Sequence, residues 1–225
     1  MKPAIVILAA GSGSRFGNST NKVWLPLAGK TLICHTINNA HQAFPDAPLL
    51  LMINPDEEHK AREVIQNELP DLKIDFAFGG STRHGSEYKA LLQLKSQIES
   101  DSIDVVLIHD GARPLATPNL YKKIAEVALS KGGAIPTTQI NPLEIDFDRN
   151  VKVVRVQTPQ GFRAKELLKA YEAADVDGFV GTDTGACVEQ YFPEIRAIAV
   201  EAEPTNLKVT YPQDLKLAED LISNV

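Results

Sequence analysis

The sequence contains little cysteine, no long apolar run and no excess of basic residues. The two cysteines, Cys34 and Cys187, are far apart and lack the paired spacing of a disulfide framework or a four-ligand zinc site. The formal net charge of -6 disfavours a binder of nucleic acid or of acidic membranes, because such proteins usually display a basic surface. No stretch approaches the roughly 18 apolar residues of a membrane span. We therefore expect a cytoplasmic protein with no nucleic-acid or membrane partner.

The 225 residues do contain a regular alternation of short apolar runs and longer segments with helical periodicity or capping signals. The apolar runs predict strands at residues 4–8, 48–53, 73–78, 104–109, 134–136 and 195–200. The longer segments predict helices at residues 31–40, 55–69, 83–97, 118–130, 163–174, 182–191 and 212–223. This order predicts one α/β domain over residues 1–225, with a Rossmann-like, mostly parallel twisted sheet and helices on both of its faces.

Residues 137–157 interrupt this alternation. Alternating residues flank the sequence Asp-Arg-Asn at 148–150, which is a plausible turn between two extended segments. The pattern predicts a β-hairpin arm that projects from the domain. Because a projecting hairpin has strand edges and apolar residues to cover, we expect a homodimer formed through this arm.

A glycine-rich loop follows the first predicted strand and gives the strongest local signal. Residues 9–17 read AAGSGSRFG, and residues 21–30 read NKVWLPLAGK. Gly11 and Gly13 permit close approach of the backbone to a phosphate, and successive N–H groups there can bind an anion. Arg15 and Lys22 place two cations near the same loop. The combination predicts a phosphate-binding site.

Three other interpretations of this loop are weaker. A dinucleotide-binding fingerprint needs a third glycine where Phe16 stands. A Walker A motif ending at Gly29, Lys30 and Thr31 needs a glycine where Trp24 stands. A purely structural turn explains the glycines but not the two cations.

Two further segments point to phosphate chemistry. The strand at 104–109 ends in HDGARP, which places Asp110 at the carboxyl edge of the sheet, where a carboxylate can hold Mg²⁺ or simply open a turn. Residues 79–86, GGSTRHGS, follow another strand and offer Gly79, Gly80, Arg83 and Ser86 to a base or ribose, or only start a helix. His109 is either a base or, more often for a histidine at a strand end, a packed structural group.

Together these motifs resemble the 2-C-methyl-D-erythritol 4-phosphate cytidylyltransferase family and its close relatives, the ribitol-5-phosphate cytidylyltransferases. The resemblance covers nearly the whole chain in order. It comprises AAGSGSRFG, Lys22 before LPLAGK, GGSTRHGS, HDGARP, QTPQGF at 157–162, TDT at 182–184 and NLKVT at 206–210.

The resemblance implies a magnesium-dependent transfer of CMP from CTP to a phosphorylated polyol, most simply 2-C-methyl-D-erythritol 4-phosphate. It assigns the catalytic role to Arg15 and Lys22, the metal to Asp110, and the nucleotide to Ala9, Ala10, Gly11, Gly13, Gly79, Gly80, Arg83 and Ser86. It assigns the acceptor to Arg113, Thr158, Lys208 and one arginine of the arm, either Arg149 or Arg155. The chain departs from the family pattern at Asn21 and at Gln139-Ile140.

Other activities fit only parts of this pattern. A ribitol-5-phosphate cytidylyltransferase is the first alternative, because the departures fall in the acceptor pocket and the arm. A sugar-1-phosphate nucleotidyltransferase shares the glycine-rich loop alone. A nicotinamide-dependent dehydrogenase lacks support because the third glycine of its fingerprint is missing.

Overall fold

The computed structural model describes residues 1–11, 21–140 and 154–223 of the chain. The strands are β1 (Pro3–Leu8), β2 (Pro26–Leu27), β3 (Lys30–Thr31), β4 (Leu49–Ile53), β5 (Asp75–Phe78), β6 (Val105–Asp110), β7 (Gly133–Gln139), β8 (Val154–Val156), β9 (Gln160–Arg163) and β10 (Ile198–Glu201). The α-helices are α1 (Leu32–Ala43), α2 (Glu58–Glu68), α3 (Arg83–Glu99), α4 (Pro118–Lys131), α5 (Ala164–Asp177), α6 (Thr184–Tyr191) and α7 (Pro212–Ser223). Short 3-10 helices cover Lys22–Trp24 and Pro55–Glu57.

Eight of the described strands form one sheet in the order β10-β7-β9-β6-β1-β4-β5, and β8 pairs with β7 beside this path. The pairs of β1 with β4 and β6, of β4 with β5 and of β7 with β10 are parallel. Strand β9 runs antiparallel to both β6 and β7. The predicted mostly parallel sheet is therefore confirmed, with β9 as an antiparallel insertion.

The central strands are buried on both faces, which explains why they read as continuous apolar runs. On β1, Ile5 and Ile7 face a core cluster that includes α1, α2 and α4, whereas Ala4 and Val6 face a second cluster that includes α3, α5 and α6. The two-residue period of a strand produces this division. The predicted covering of both faces by helices is confirmed.

Strand β9 was not predicted because its sequence, Gln-Gly-Phe-Arg, carries a glycine and follows a proline. The glycine has a packing reason. A Cβ on Gly161 would lie 2.8 Å from a methyl carbon of Ile124 and 2.8 Å from one of Leu107. The close approach of α4 and β6 to this strand therefore excludes a side chain there.

The base of the predicted hairpin arm is present. Thr137, Thr138 and Gln139 of β7 pair antiparallel with Val156, Arg155 and Val154 of β8. The predicted turn at residues 148–150 lies outside the described residues, and the projection of the arm stays a prediction. Across the described ranges, no helix combines the length and apolar character that crossing a membrane requires.

The topology brings several loops to one edge of the sheet. Strands β1, β4, β5 and β6 are parallel neighbours, so their carboxyl ends meet at the same edge. The chain leaves β1 toward β4 and β5 and then crosses to β6 on the other side of β1. In open α/β sheets, ligands bind at such a reversal of strand order.

Candidate active site

A cleft of about 590 Å³ opens at this edge of the sheet. Its walls come from the segments that follow β1, β4, β5 and β6 and from the segment that precedes α7. The described residues that line it are Leu8, Ala9, Ala10, Gly11, Asn21, Lys22, Val23, Asn54, Gly80, Ser81, Thr82, Arg83, Ser86, Asp110, Ala112, Lys208 and Thr210. Most of the predicted nucleotide-binding residues and the predicted metal ligand thus share one concave surface.

Asn21 joins the two sides of the glycine-rich loop. Its amide nitrogen donates to the backbone oxygen of Ala9 at 2.7 Å and to the carboxylate of Glu57 at 3.0 Å. Lys22 begins the 3-10 helix that follows and lines the cleft. Gly13 and Arg15 lie outside the described residues, so their predicted roles stay predictions.

The loop after β5 packs directly against the loop after β1. The N–H of Gly79 donates to the oxygen of Ile53 at 2.9 Å, and the N–H of Gly80 donates to Ser86 Oγ at 3.0 Å. A Cβ on Gly79 would lie 2.3 Å from Ala10 Cβ and 2.9 Å from Ser86 Oγ. Glycine at 79 is therefore a condition for the contact between these two loops. Gly79 itself is absent from the cleft lining, whereas Gly80 belongs to it.

Asp110 is the electrostatic centre of the cleft. Lys208 Nζ donates a hydrogen bond of 2.9 Å to Asp110 Oδ2. Arg83 Nε lies 3.5 Å from Oδ1, and Arg113 Nε lies 3.5 Å from Oδ2. Burial by itself would raise the pKa of the Asp110 carboxyl, but the positive charges of Lys208, Arg83 and Arg113 outweigh it and hold this pKa well below its usual range. Asp110 is therefore a carboxylate at neutral pH.

His109 is a structural residue and not a base. Its ring is fully buried, with Nδ1 3.1 Å from Thr158 Oγ1 and Nε2 3.3 Å from the oxygen of Arg113. Burial lowers the pKa of His109 to about 3, so the ring is neutral at physiological pH. The packed alternative for this residue is the one that the structure supports.

Arg113 and Thr158 lie behind Asp110 and are absent from the cleft lining. Thr158 is 3% exposed, and its Oγ1 accepts the N–H of Asp110 at 3.0 Å. Arg113 is 8% exposed and donates to the oxygen of Asn206 at 2.8 Å. Both residues therefore hold Asp110 in place, and neither presents an open surface to an acceptor in this conformation.

Asn206 and Gln160 are supporting residues to which the sequence analysis gave no role. Asn206 Nδ2 donates to Gln157 Oε1 at 2.9 Å and to the oxygen of Thr158 at 3.0 Å. Gln160 donates to Asp183 at 3.1 Å and accepts the N–H of Gly185 at 3.1 Å. Gln160 lies in QTPQGF, Asn206 in NLKVT and Asp183 in TDT. The sequence motifs therefore included these residues, but they did not show that the three segments contact one another.

Arg155, one of the two predicted arm arginines, is exposed on β8 and is absent from the cleft lining of its own chain. Arg149 lies outside the described residues.

Comparisons with known proteins agree with this geometry. Residues 4–224 match the family model described as IspD, 2-C-methyl-D-erythritol 4-phosphate cytidylyltransferase. This chain belongs to that family. A cytidylyltransferase of this name from Bacillus velezensis is 32% identical over 231 residues, which cover 99% of this chain and 96% of the relative. A second, from Geobacillus kaustophilus, is 31% identical over 97% of this chain and 96% of its own length.

Solved structures show the same likeness. The 2-C-methyl-D-erythritol 4-phosphate cytidylyltransferase of Thermus thermophilus has a TM-score of 0.73 and 29% identity, over 97% of this chain and 98% of its own. The 4-diphosphocytidyl-2C-methyl-D-erythritol synthase of Anaerococcus prevotii has a TM-score of 0.81 at 23% identity, over 99% and 96% of the two chains, and supports the fold alone. Membership in the cytidylyltransferase family confirms the predicted resemblance, the transferase class and the cytidylyl reaction.

Proposed function

We propose that this chain transfers CMP from CTP to 2-C-methyl-D-erythritol 4-phosphate with release of pyrophosphate, a step of non-mevalonate isoprenoid precursor synthesis. The observation that carries the proposal is the cleft itself. It joins residues 9–11 and 21–23, which flank the glycine-rich loop, to a buried carboxylate that contacts three cations, in a chain that belongs to the matching family.

CTP would occupy the cleft with its triphosphate toward the glycine-rich loop. The backbone N–H groups of Ala10 and Gly11 would suit phosphate oxygens because successive N–H dipoles can converge on an anion, whereas the N–H of Ala9 donates to the oxygen of Met52 at 2.8 Å. At the other end, Gly80 and Ser86 would frame the cytidine, beside Arg83, which contacts Asp110. Ser86 Oγ donates to the oxygen of Thr82 at 2.9 Å, so its first contribution is to shape this loop.

The reaction needs positioning and neutralisation of charge more than proton transfer. An acceptor phosphate is largely dianionic near neutral pH, since its second pKa is about 6, and can attack the α-phosphorus of CTP without a protein base. Pyrophosphate then leaves in line. Lys22, which lines the cleft, and Arg15 would stabilise the negative charge that develops at the α-phosphate. The burial and low pKa of His109 support a mechanism without a histidine base.

Asp110 fits the role of a magnesium ligand. Its Oδ2 is engaged by Lys208, whereas the 3.5 Å contact of Oδ1 with Arg83 is too long for a strong hydrogen bond, so Oδ1 keeps lone pairs for a hard cation. Within the described ranges, no group of three or more His, Cys, Asp or Glu side chains could hold a metal. One carboxylate with phosphate oxygens and water is the usual magnesium arrangement in phosphoryl-transfer sites. When bound, Mg²⁺ would neutralise charge on the triphosphate.

The acceptor would bind beside Lys208, whose side chain is 42% exposed and lines the cleft. Arg113 and Thr158 support this position indirectly because they hold Asp110, to which Lys208 is bonded. We further propose that the arm of a second subunit supplies an arginine, Arg149 or Arg155, to the acceptor phosphate. The exposed position of Arg155 outside its own cleft supports a homodimer of this kind.

A pyrophosphate-release assay tests the function directly. Each of CTP, UTP, ATP and GTP is tested with each of three acceptors, with and without Mg²⁺. The acceptors are 2-C-methyl-D-erythritol 4-phosphate, ribitol 5-phosphate and a sugar 1-phosphate. We expect CTP with the erythritol acceptor to be fastest and to require the metal. Faster release with UTP or GTP would overturn the nucleotide assignment, and faster release with ribitol 5-phosphate would overturn the acceptor.

A further inference from the structure

Glu87 is a buried carboxylate just outside the cleft wall. It lies on α3, one helical turn after Arg83, and is 1% exposed. Its carboxylate contacts the guanidinium of Arg83 and accepts hydrogen bonds from the phenol of Tyr171 and from Thr184 Oγ1, the last at 3.0 Å. These partners belong to α3, α5 and α6. Glu87 does not line the cleft, whereas Arg83 does.

Stability alone does not explain a carboxylate at this position. Desolvation of a buried charge is costly, and replacing a buried charge network by apolar side chains of similar volume is often neutral or stabilising. The surrounding cluster is otherwise apolar, with Ala90 and Leu91 buried on the same helix and Cys187 and Val188 on α6. Apolar side chains at all four positions would suit this environment, so the polar network of Glu87, Arg83, Tyr171 and Thr184 needs another reason.

The position of Arg83 supplies that reason. Its guanidinium lies between Glu87 on the buried side and Asp110 on the cleft side, where Nε is 3.5 Å from Oδ1. A free arginine side chain has many rotamers, and contacts of two of its guanidinium nitrogens with two carboxylates restrict that freedom. Glu87 also balances the charge of Arg83. What Arg83 then offers a ligand is a set of directed N–H donors more than a net positive charge.

We propose that Glu87 is a positioning residue for the nucleotide, which fixes the Arg83 guanidinium at the cleft wall through a buried network with Tyr171 and Thr184. This inference rests on the proposed function, in which Arg83 contacts CTP. Glu87 has no contact with the cleft of its own, so its influence on the nucleotide must pass through Arg83. Removing Arg83 should therefore abolish the effect of changing Glu87.

A double-mutant cycle tests this coupling. The protein variants are Glu87→Gln, Arg83→Gln and the double variant, and the readouts are the Kd for CTP by calorimetry and the kcat and KM of cytidylyl transfer. We expect Glu87→Gln to weaken CTP binding on the order of tenfold in the wild-type background and less than about twofold in the Arg83→Gln background. If Glu87 acted only through its negative charge, Glu87→Gln should instead tighten CTP binding, because it removes a negative charge near the triphosphate.

Two further variants keep the test decisive. Tyr171→Phe removes one donor to Glu87 and keeps the ring, and should weaken CTP binding about threefold, again only when Arg83 is present. If Glu87→Gln does not fold, Tyr171→Phe takes its place in the double-mutant cycle with Arg83→Gln. Glu68→Gln is the matched control, because Glu68 accepts hydrogen bonds from Thr31 and does not line the cleft. It should leave the Kd for CTP unchanged.

Unchanged or tighter CTP binding in Glu87→Gln, or an equal loss in both backgrounds, would overturn the positioning role. The calorimetric readout separates this failure from failure of the proposed function. A wild-type protein that binds CTP but transfers nothing to any acceptor would refute the function, while the coupling between Glu87 and Arg83 would still be measured.

Discussion

Replacing Asp110 by asparagine tests the charge balance of the cleft, because it keeps the size of the side chain and removes its charge. The carboxylate contacts Lys208, Arg83 and Arg113 at 2.9, 3.5 and 3.5 Å. In Asp110→Asn these cations lose a shared anion. Arg83 retains its contact with Glu87, but Arg113 is left with a buried positive charge.

The structure sets the size of the expected loss of stability. Removing one partner of a buried ion pair typically costs about 3–5 kcal/mol. The Lys208 side chain is 42% exposed and can be solvated by water, so we expect the lower end, about 3 kcal/mol. For a chain of this size 1 kcal/mol shifts Tm by about 2–4 °C, which predicts a decrease in Tm of about 6–12 °C at pH 7.

The same change should separate nucleotide affinity from turnover. Calorimetry without metal should show tighter binding of CTP to Asp110→Asn, because the carboxylate then no longer offsets the positive charges of Lys208 and Arg83 in the cleft and of Arg113 behind it. Cytidylyl transfer should fall sharply and lose its normal dependence on magnesium concentration. Asp101→Asn is the control, since Asp101 forms an exposed ion pair with Lys165 and should change Tm only slightly.

The difference in Tm between wild type and Asp110→Asn should also depend on pH. Because the folded-state pKa of Asp110 is depressed, its contribution is complete above the unfolded pKa of about 3.9 and is lost as pH falls further. The Tm values of wild type and Asp110→Asn should therefore converge below about pH 4. Equal Tm values at pH 7, or weaker metal-free binding of CTP by the variant, would refute this account of the cleft.

Four other predictions test single features of the site. Gly79→Ala should raise the KM for CTP, because its Cβ would lie 2.3 Å from Ala10 Cβ; an unchanged KM would contradict this contact. Lys22→Ala should lower kcat about a hundredfold, and near-normal turnover would remove its catalytic role. An NMR titration should show no transition of His109 between about pH 5 and about pH 8, given its pKa of about 3; a transition near 6.5 would contradict its burial. Mixing Lys22→Ala with Arg155→Ala or Arg149→Ala under subunit exchange should restore up to about half of wild-type activity per heterodimer. Hybrids seen by native mass spectrometry without activity would refute a shared site.

Much of the fold could be read from local sequence. The buried parallel strands are continuous apolar runs because both of their faces are covered. Helices α3, α4 and α6 begin after the capping residues Thr82, Thr117 and Asp183. Strand β9 could not be read in this way. Its glycine and neighbouring proline argue against a strand, and only the packing of Gly161 against Ile124 and Leu107 explains them.

The site likewise contains some residues whose position could be predicted from the sequence and others whose position could not. The presence of Gly11, Lys22 and Asp110 at one edge of the sheet could be predicted, because it depends on residue type and on position after a strand. The placement of Thr158 and Arg113 could not, because their motifs do not show which side of Asp110 they occupy. Their burial behind the carboxylate results from contacts with Asn206, far away in the chain.

The sequence by itself determined the alternation of strands and helices and the family, because these follow from local periodicity and from the order of short motifs. Only the tertiary structure decided which charged and polar groups meet. Asp110 with Lys208 and Glu87 with Tyr171 are pairs separated by 98 and 84 residues, and no local pattern encodes such a distance. The physical reason is that the strand order reverses at β1, which brings loops from distant parts of the chain to one edge of the sheet. Burial there strengthens the electrostatic interaction of each charged group with its neighbours.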